Sequence, residues 1–97
     1  MTAVEATTRP APDDVIAVVA DALSVVCEVP AESLSPQTEL AAIGADSLAR
    51  VEFAEIVEER LTAYAPGLHV PDRELDGFRT VGDAVDYLLA RVSPAKE

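Results

Sequence analysis

Tryptophan is absent from this sequence, and cysteine and histidine occur once each, as Cys27 and His69. A single cysteine excludes an internal disulfide and fits a reducing compartment. Cys27 closes an apolar run and reads as a small buried hydrophobe rather than a reactive thiol. One Cys and one His make no zinc pattern, and no Asp/Asn/Gly loop matches a calcium-binding one. Aromatics are only 4% of the chain. A core must therefore come from Val, Leu, Ile and Ala, which small helical domains manage more readily than β-sandwiches. Positive charge is scarce too: seven Lys and Arg face eighteen Asp and Glu, for a net charge of −11. That balance excludes a nucleic-acid binder, which needs a basic patch, and an anionic membrane surface. It leaves acidity that keeps a domain soluble, or acidity that steers a basic partner protein. No secretion signal is legible. The longest apolar stretch, Val15–Val29, is broken by Asp21, Ser24 and Glu28 and is too short to span a bilayer. A cytoplasmic monomer is expected.

What is present is 49% hydrophobic residues in 97, enough for one small domain. Repeats and low-complexity segments are absent. Residues 1–12 and 93–97 read as loose tails around a domain at 13–92. Asp13 and Asp14 offer an N-cap for a first helix over Val15–Glu28, whose length outweighs its β-branched content. Ile16, Val19, Leu23 and Val26 form its expected inward stripe, and Pro30 stops it. The connection 29–46 is long for so small a domain, so its Val29, Leu34, Leu40 and Ile43 are expected to plug into the core. A second helix is predicted from Ser47 to Leu61, with Phe53, Val57 and Leu61 inward. Its other side carries Leu48, Val51, Glu52, Glu55, Glu58 and Glu59. Tyr64-Ala65-Pro66-Gly67 is a turn, and 62–69 is expected to be a surface excursion outside the core. A short third helix is predicted with Pro71 at its first position and Gly77 just past its end. Thr80 and Asp83 form a capping box for a last helix, with Val81, Ala84, Val85, Leu88 and Leu89 inward.

Ser47 raises the functional question. Gly44-Ala45-Asp46-Ser47-Leu48 approaches a Gly-Asp-Ser-Leu hydrolase motif, but a nucleophilic serine needs a histidine base and an orienting acid. His69 stands in a loop with proline at 66, where that family has its aspartate, and no Gly-x-Ser-x-Gly elbow exists. His69 reads as a surface residue. Glu55, Glu58 and Glu59 read as a solvated or partner-facing side. Ser47 is either a helix cap or a modified residue. If Asp46 caps the helix, Ser47 is free to point outward, where the positive helix end stabilises a phosphate ester.

The segment Ile43-Gly44-Ala45-Asp46-Ser47-Leu48 with Val51-Glu52 resembles the prosthetic-group attachment motif of the acyl carrier protein family. Glu58-Glu59, Val70-Pro71-Asp72 and Thr80–Leu88 resemble that family's later helices in order and spacing. The resemblance implies a small all-α four-helix bundle of acyl-carrier type, with a long loop between helices 1 and 2. It implies that a phosphopantetheinyl transferase moves 4′-phosphopantetheine from coenzyme A to Ser47 in a magnesium-dependent reaction. The arm's thiol then holds acyl groups as thioesters, and the protein is a carrier, not an enzyme. Asp46, Leu48, Val51, Glu55, Glu58 and Glu59 are the implied partner-facing residues. The partners would be an acyltransferase, a ketosynthase or an acyl-activating ligase. Three departures, namely Ala42 for an acidic residue, Glu55 for an apolar one and the longer loop 62–68, favour a discrete carrier of a polyketide or hybrid pathway. A peptidyl carrier remains the alternative, as does an unmodified helical interaction domain in which Ser47 only caps.

Overall fold

The computed structural model describes residues 12–92. The expected tails lie outside the described residues, except for Pro12, which opens the first helix. Helix α1 spans Pro12–Cys27, α2 Ser47–Arg60, α3 Asp72–Gly77 and α4 Val81–Val92, with 3-10 turns at Ala31–Ser33 and Leu40–Ile43. Among the described residues β pairing is limited to one isolated antiparallel bridge, Glu39 with Thr80. The expected all-α, four-helix class is the one the chain adopts.

Helix α1 forms although valine is frequent, because its apolar residues recur at helical spacing over four turns. Asp13 and Asp14 lie inside its first turn rather than capping it, where they complement the positive end of the helix dipole. Val15, Val18, Val19, Ala22 and Leu23 are buried, whereas Ile16 is 43% exposed and Val26 half-buried. The inward stripe is thus rotated from the expected one. At about 100° per residue, apolar side chains from Val25 through Val19 to Ile16 cover about half of the helix surface, a sector wide enough to leave its orientation undetermined until other helices pack on it. The helix ends where Glu28 takes a left-handed φ of 59°, two residues before Pro30.

The connection that follows packs as expected at three of its four apolar positions: Leu40 is buried, and Leu34 and Ile43 lie against the core, whereas Val29 is only half-buried and is not part of that contact. Its backbone is also stitched to α4. The N–H of Leu40 donates to the Arg79 carbonyl at 2.9 Å, while those of Val81 and Gly82 donate to Thr38 and Pro36 at 2.9 Å each. Those first-turn donors of α4 have no partner within their own helix. A Cβ on residue 82 would sit 3.0 Å from the Pro36 oxygen, so glycine is what lets the two backbones approach.

The capping box forms as predicted. Thr80 Oγ1 accepts from the Asp83 N–H at 3.2 Å, and Asp83 Oδ2 accepts from the N–H groups of Arg79 at 2.9 Å and Thr80 at 3.1 Å. Val81, Ala84, Val85 and Leu88 of α4 are buried as expected and Val92 joins them, while Leu89 is half-buried against the core. At α3 the boundary shifts by one residue: Pro71 is the N-cap, and Gly77 is the last helical residue, before Phe78. Helix α1 packs against both α2 and α4, and α3 packs on α2.

The segment 62–69 departs from expectation. After Leu61 the chain coils through consecutive turns, with the N–H groups of Tyr64 and Ala65 donating to the Leu61 carbonyl at 3.0 and 2.9 Å. That coiling returns Tyr64, Ala65 and Leu68 to the core surface. Full burial of a large apolar side chain contributes about 1.5–3 kcal/mol. Tyr64→Ala and Leu68→Ala, half-buried, are each expected to lower stability by about 1 kcal/mol in urea denaturation.

The Asp83 carboxyl titrates below its ordinary value, chiefly because the Arg79 N–H, then the Thr80 N–H, bind its charged form. A depressed native pKa contributes stability that is complete above the unfolded value and is lost as pH falls through the native one. The protection of the Arg79 and Thr80 amides, taken relative to their intrinsic exchange rates at each pH, should therefore fall only below about pH 4, and Asp83→Asn should remove that acid dependence.

Candidate functional site at the start of the second helix

Four residues turn the connection into α2. Gly44 takes a φ of +80°, a left-handed conformation that costs glycine little and ends the Leu40–Ile43 turn. Ala45 is buried, and its N–H donates to the Leu40 carbonyl at 3.0 Å. Asp46 is extended and is the N-cap: its Oδ1 accepts from the Ala49 N–H at 2.9 Å. Ser47, the first helical residue, is exposed. The carboxylate therefore does the capping, and the hydroxyl of Ser47 is left for other chemistry.

Leu48 is 68% exposed and Val51 37%. Glu52, Glu55 and Glu59 are exposed. Leu48 is neither in the core nor packed against it, so this side of α2 has no role in the core. Glu58 is the exception among the expected partner-facing residues. Its Oε2 accepts from the Val70 N–H at 2.8 Å and lies 3.4 Å from His69 Nδ1, in a pair whose carboxylate side is 24% exposed. A carboxylate used inside the fold is not free to meet a partner. A twelve-residue sequence separation hid this contact.

A cleft of about 250 Å³ opens beside Ser47, lined also by Val51 and by Asp72, Leu75 and Asp76 of α3. Sequence reasoning did not include the α3 residues, since nothing in a six-residue acidic helix shows which neighbour it faces. It also passed over Arg50, which carries no motif signal. Its Nε donates to the Ala45 carbonyl at 3.0 Å, and its Nη1 to those of Leu75 at 2.6 Å and Phe78 at 2.9 Å.

His69 pairs with Glu58, eleven residues along α2 from Ser47, or about 16 Å at 1.5 Å per residue. An imidazole there cannot serve Ser47 as a base. Cys27 is half-buried rather than buried. Burial first, and the Asp46 carboxylate second, raise its thiol above the ordinary value, so it is a poor nucleophile. Among the described residues no three His, Cys, Asp or Glu side chains are placed to hold a metal ion. Nor is any helix there long and apolar enough to cross a membrane.

The model of a family described as "Phosphopantetheine attachment site" matches residues 15–88. Over 72 residues, 73% of this chain and 83% of the other, the sequence is 40% identical to an acyl carrier protein of Clostridium perfringens. This chain belongs to the acyl carrier protein family. It is also similar to an acyl carrier protein of Acidothermus cellulolyticus, 30% identical over 78% of this chain and 86% of that one. A meromycolate extension acyl carrier protein of Mycobacterium leprae is 31% identical over 78% of this chain and 63% of its own length. As a family member the chain carries acyl groups on phosphopantetheine and catalyses nothing itself. It works with phosphopantetheinyl transferases and acyl-handling enzymes.

The residues around Ser47 fit such an arm. The hydroxyl is exposed, the capping role is filled by its neighbour, and the positive end of α2 favours a phosphate. Asp46→Ala is expected to lower stability by about 1 kcal/mol, whereas Ser47→Ala should change it by no more than about 0.5 kcal/mol. Chemical denaturation of both variants checks the division of labour.

Proposed function

We propose that Ser47 Oγ is the attachment point of 4′-phosphopantetheine, within a carrier domain at residues 13–92. The observation that carries this reading is the exposed Ser47 beside an Asp46 that caps the helix in its place. The bound arm supplies a thiol that takes acyl groups as thioesters. The chain's own part is to hold the serine at a rigid helix start and to offer a surface for recognition. Asp46, Leu48, Val51, Glu55 and Glu59 make up that surface, two apolar side chains flanked by carboxylates. It suits a small, transient interface in which charge steers the encounter.

The pathway we infer is of polyketide or hybrid type, supplied by an acyltransferase, a ketosynthase or an acyl-activating ligase. Ala42 and Glu55 support it, since both stand where fatty-acid carriers of this family often differ. The similarity to a meromycolate extension carrier favours a second reading, in which the cargo is a long chain under extension. The mass of the loaded protein isolated from its native host separates the two. A short or oxygenated acyl group fits the first; a long saturated chain fits the second and sinks the first.

Incubated with coenzyme A and a promiscuous transferase, the wild type should gain one phosphopantetheine by intact mass, and Ser47→Ala none while remaining folded. An equal gain in the variant would falsify the assignment. Leu48→Ala should slow acyl transfer severalfold at unchanged stability, and more than Glu59→Lys does. Exposed charge pairs contribute only about 0.2–1 kcal/mol each, whereas Leu48 lies next to the serine itself.

A further inference from the structure

Helix α3 has six residues, and its N-cap, Pro71, provides no side-chain hydrogen bond. A helix this short does not persist on its own propensity. Burial of Leu75 and Phe78 holds its apolar side, and the side-chain hydrogen bonds that fix its two ends come from α2. Glu58 accepts from the Val70 N–H just before α3 begins. Arg50 donates to the Leu75 and Phe78 carbonyls where it ends. Arg50 lies near the start of α2 and Glu58 near its end, so α3 runs antiparallel to α2. A carboxylate stands at its N–H end and a guanidinium at its carbonyl end, the order its dipole favours. Arg50 also reaches the Ala45 carbonyl, two residues before Ser47. One half-buried side chain thus ties the turn that presents Ser47 to the helix that walls the adjoining cleft.

We propose that Arg50 is a positioning residue that seats α3 against Ser47 and so preforms the surface that a modifying or acyl-transferring enzyme meets. The proposal rests on Ser47 as the attachment site. At the end of α3 the Leu75 carbonyl has only a long local partner, the Phe78 N–H at 3.3 Å, and a planar guanidinium can serve several such carbonyls at fixed angles where an ammonium cannot. Without Arg50, α3 is seated only part of the time. A partner that requires the seated form then binds more weakly in proportion to that fraction. The chemistry after binding is unchanged, because the bound form is the same. Loss of Arg50 should therefore appear in KM and not in kcat.

The experiment uses the full chain as wild type, Arg50→Met and Arg50→Lys, with coenzyme A and a promiscuous phosphopantetheinyl transferase. Initial rates of arm transfer are read by intact mass, and backbone amide exchange is measured on the unmodified proteins. For Arg50→Met, KM is expected to rise about three- to tenfold with kcat unchanged. Amides of residues 72–78 should exchange about tenfold faster while those of α1 and α4 keep their protection. Arg50→Lys should fall between the two and carries the same comparison if the Met variant does not fold. Unchanged KM with unchanged α3 protection overturns the proposal, and so does a uniform loss of protection in all helices, which would make Arg50 a general stabiliser. A wild type that gains no arm defeats the assignment of Ser47 instead, and the exchange data still decide whether Arg50 seats α3.

Discussion

Burial of one stripe of α2 sets the rest of the molecule. Phe53, Ala54 and Val57, with Leu61 just beyond, are buried where the helix packs on α1. Fixing that stripe fixes the rotation of the helix about its axis, and so the direction of every other side chain on it. At about 100° per residue, Leu48, Glu55 and Glu59 then face away from the core, while Val51 and Glu58 turn toward α3. The face that excludes water and the face left to solvent are two sides of one element, and packing on the first keeps the second rigid.

The few cations are used in different ways. Arg60 lies 3.7 Å from Asp21 with both side chains about half exposed, a pair that contributes little in water. Arg91 sits over the Tyr87 ring at 4.7 Å from its centroid, a cation–π contact with the ring face. Arg50 turns inward to carbonyls. Around Ser47 the acidic side chains of α2 and α3 keep their field, and a −11 chain attracts a basic partner over about a Debye length. Such steering is long-range, whereas the surface beside Ser47 is defined at short range by the exposed Leu48 and Val51 and by the α3 residues that line the adjoining cleft.

The sequence alone determined the class of the protein and where two of its helices begin. The scarcity of aromatics left a helical core of Val, Leu and Ala. Asp46, Ser47 and the apolar spacing after them located the start of α2, and Thr80 with Asp83 located that of α4. Each of these rests on residues three or four apart, where local geometry dictates contact. The tertiary structure decided what such spacing cannot. It chose which side of the valine-rich α1 turned inward, and it folded 62–69 back onto the core. It engaged Glu58 with Val70 and carried Arg50 across to Leu75 and Phe78, contacts that span 12, 25 and 28 residues. A hydrogen bond over such separations has no periodic signature, because its partners meet only after the helices between them have packed.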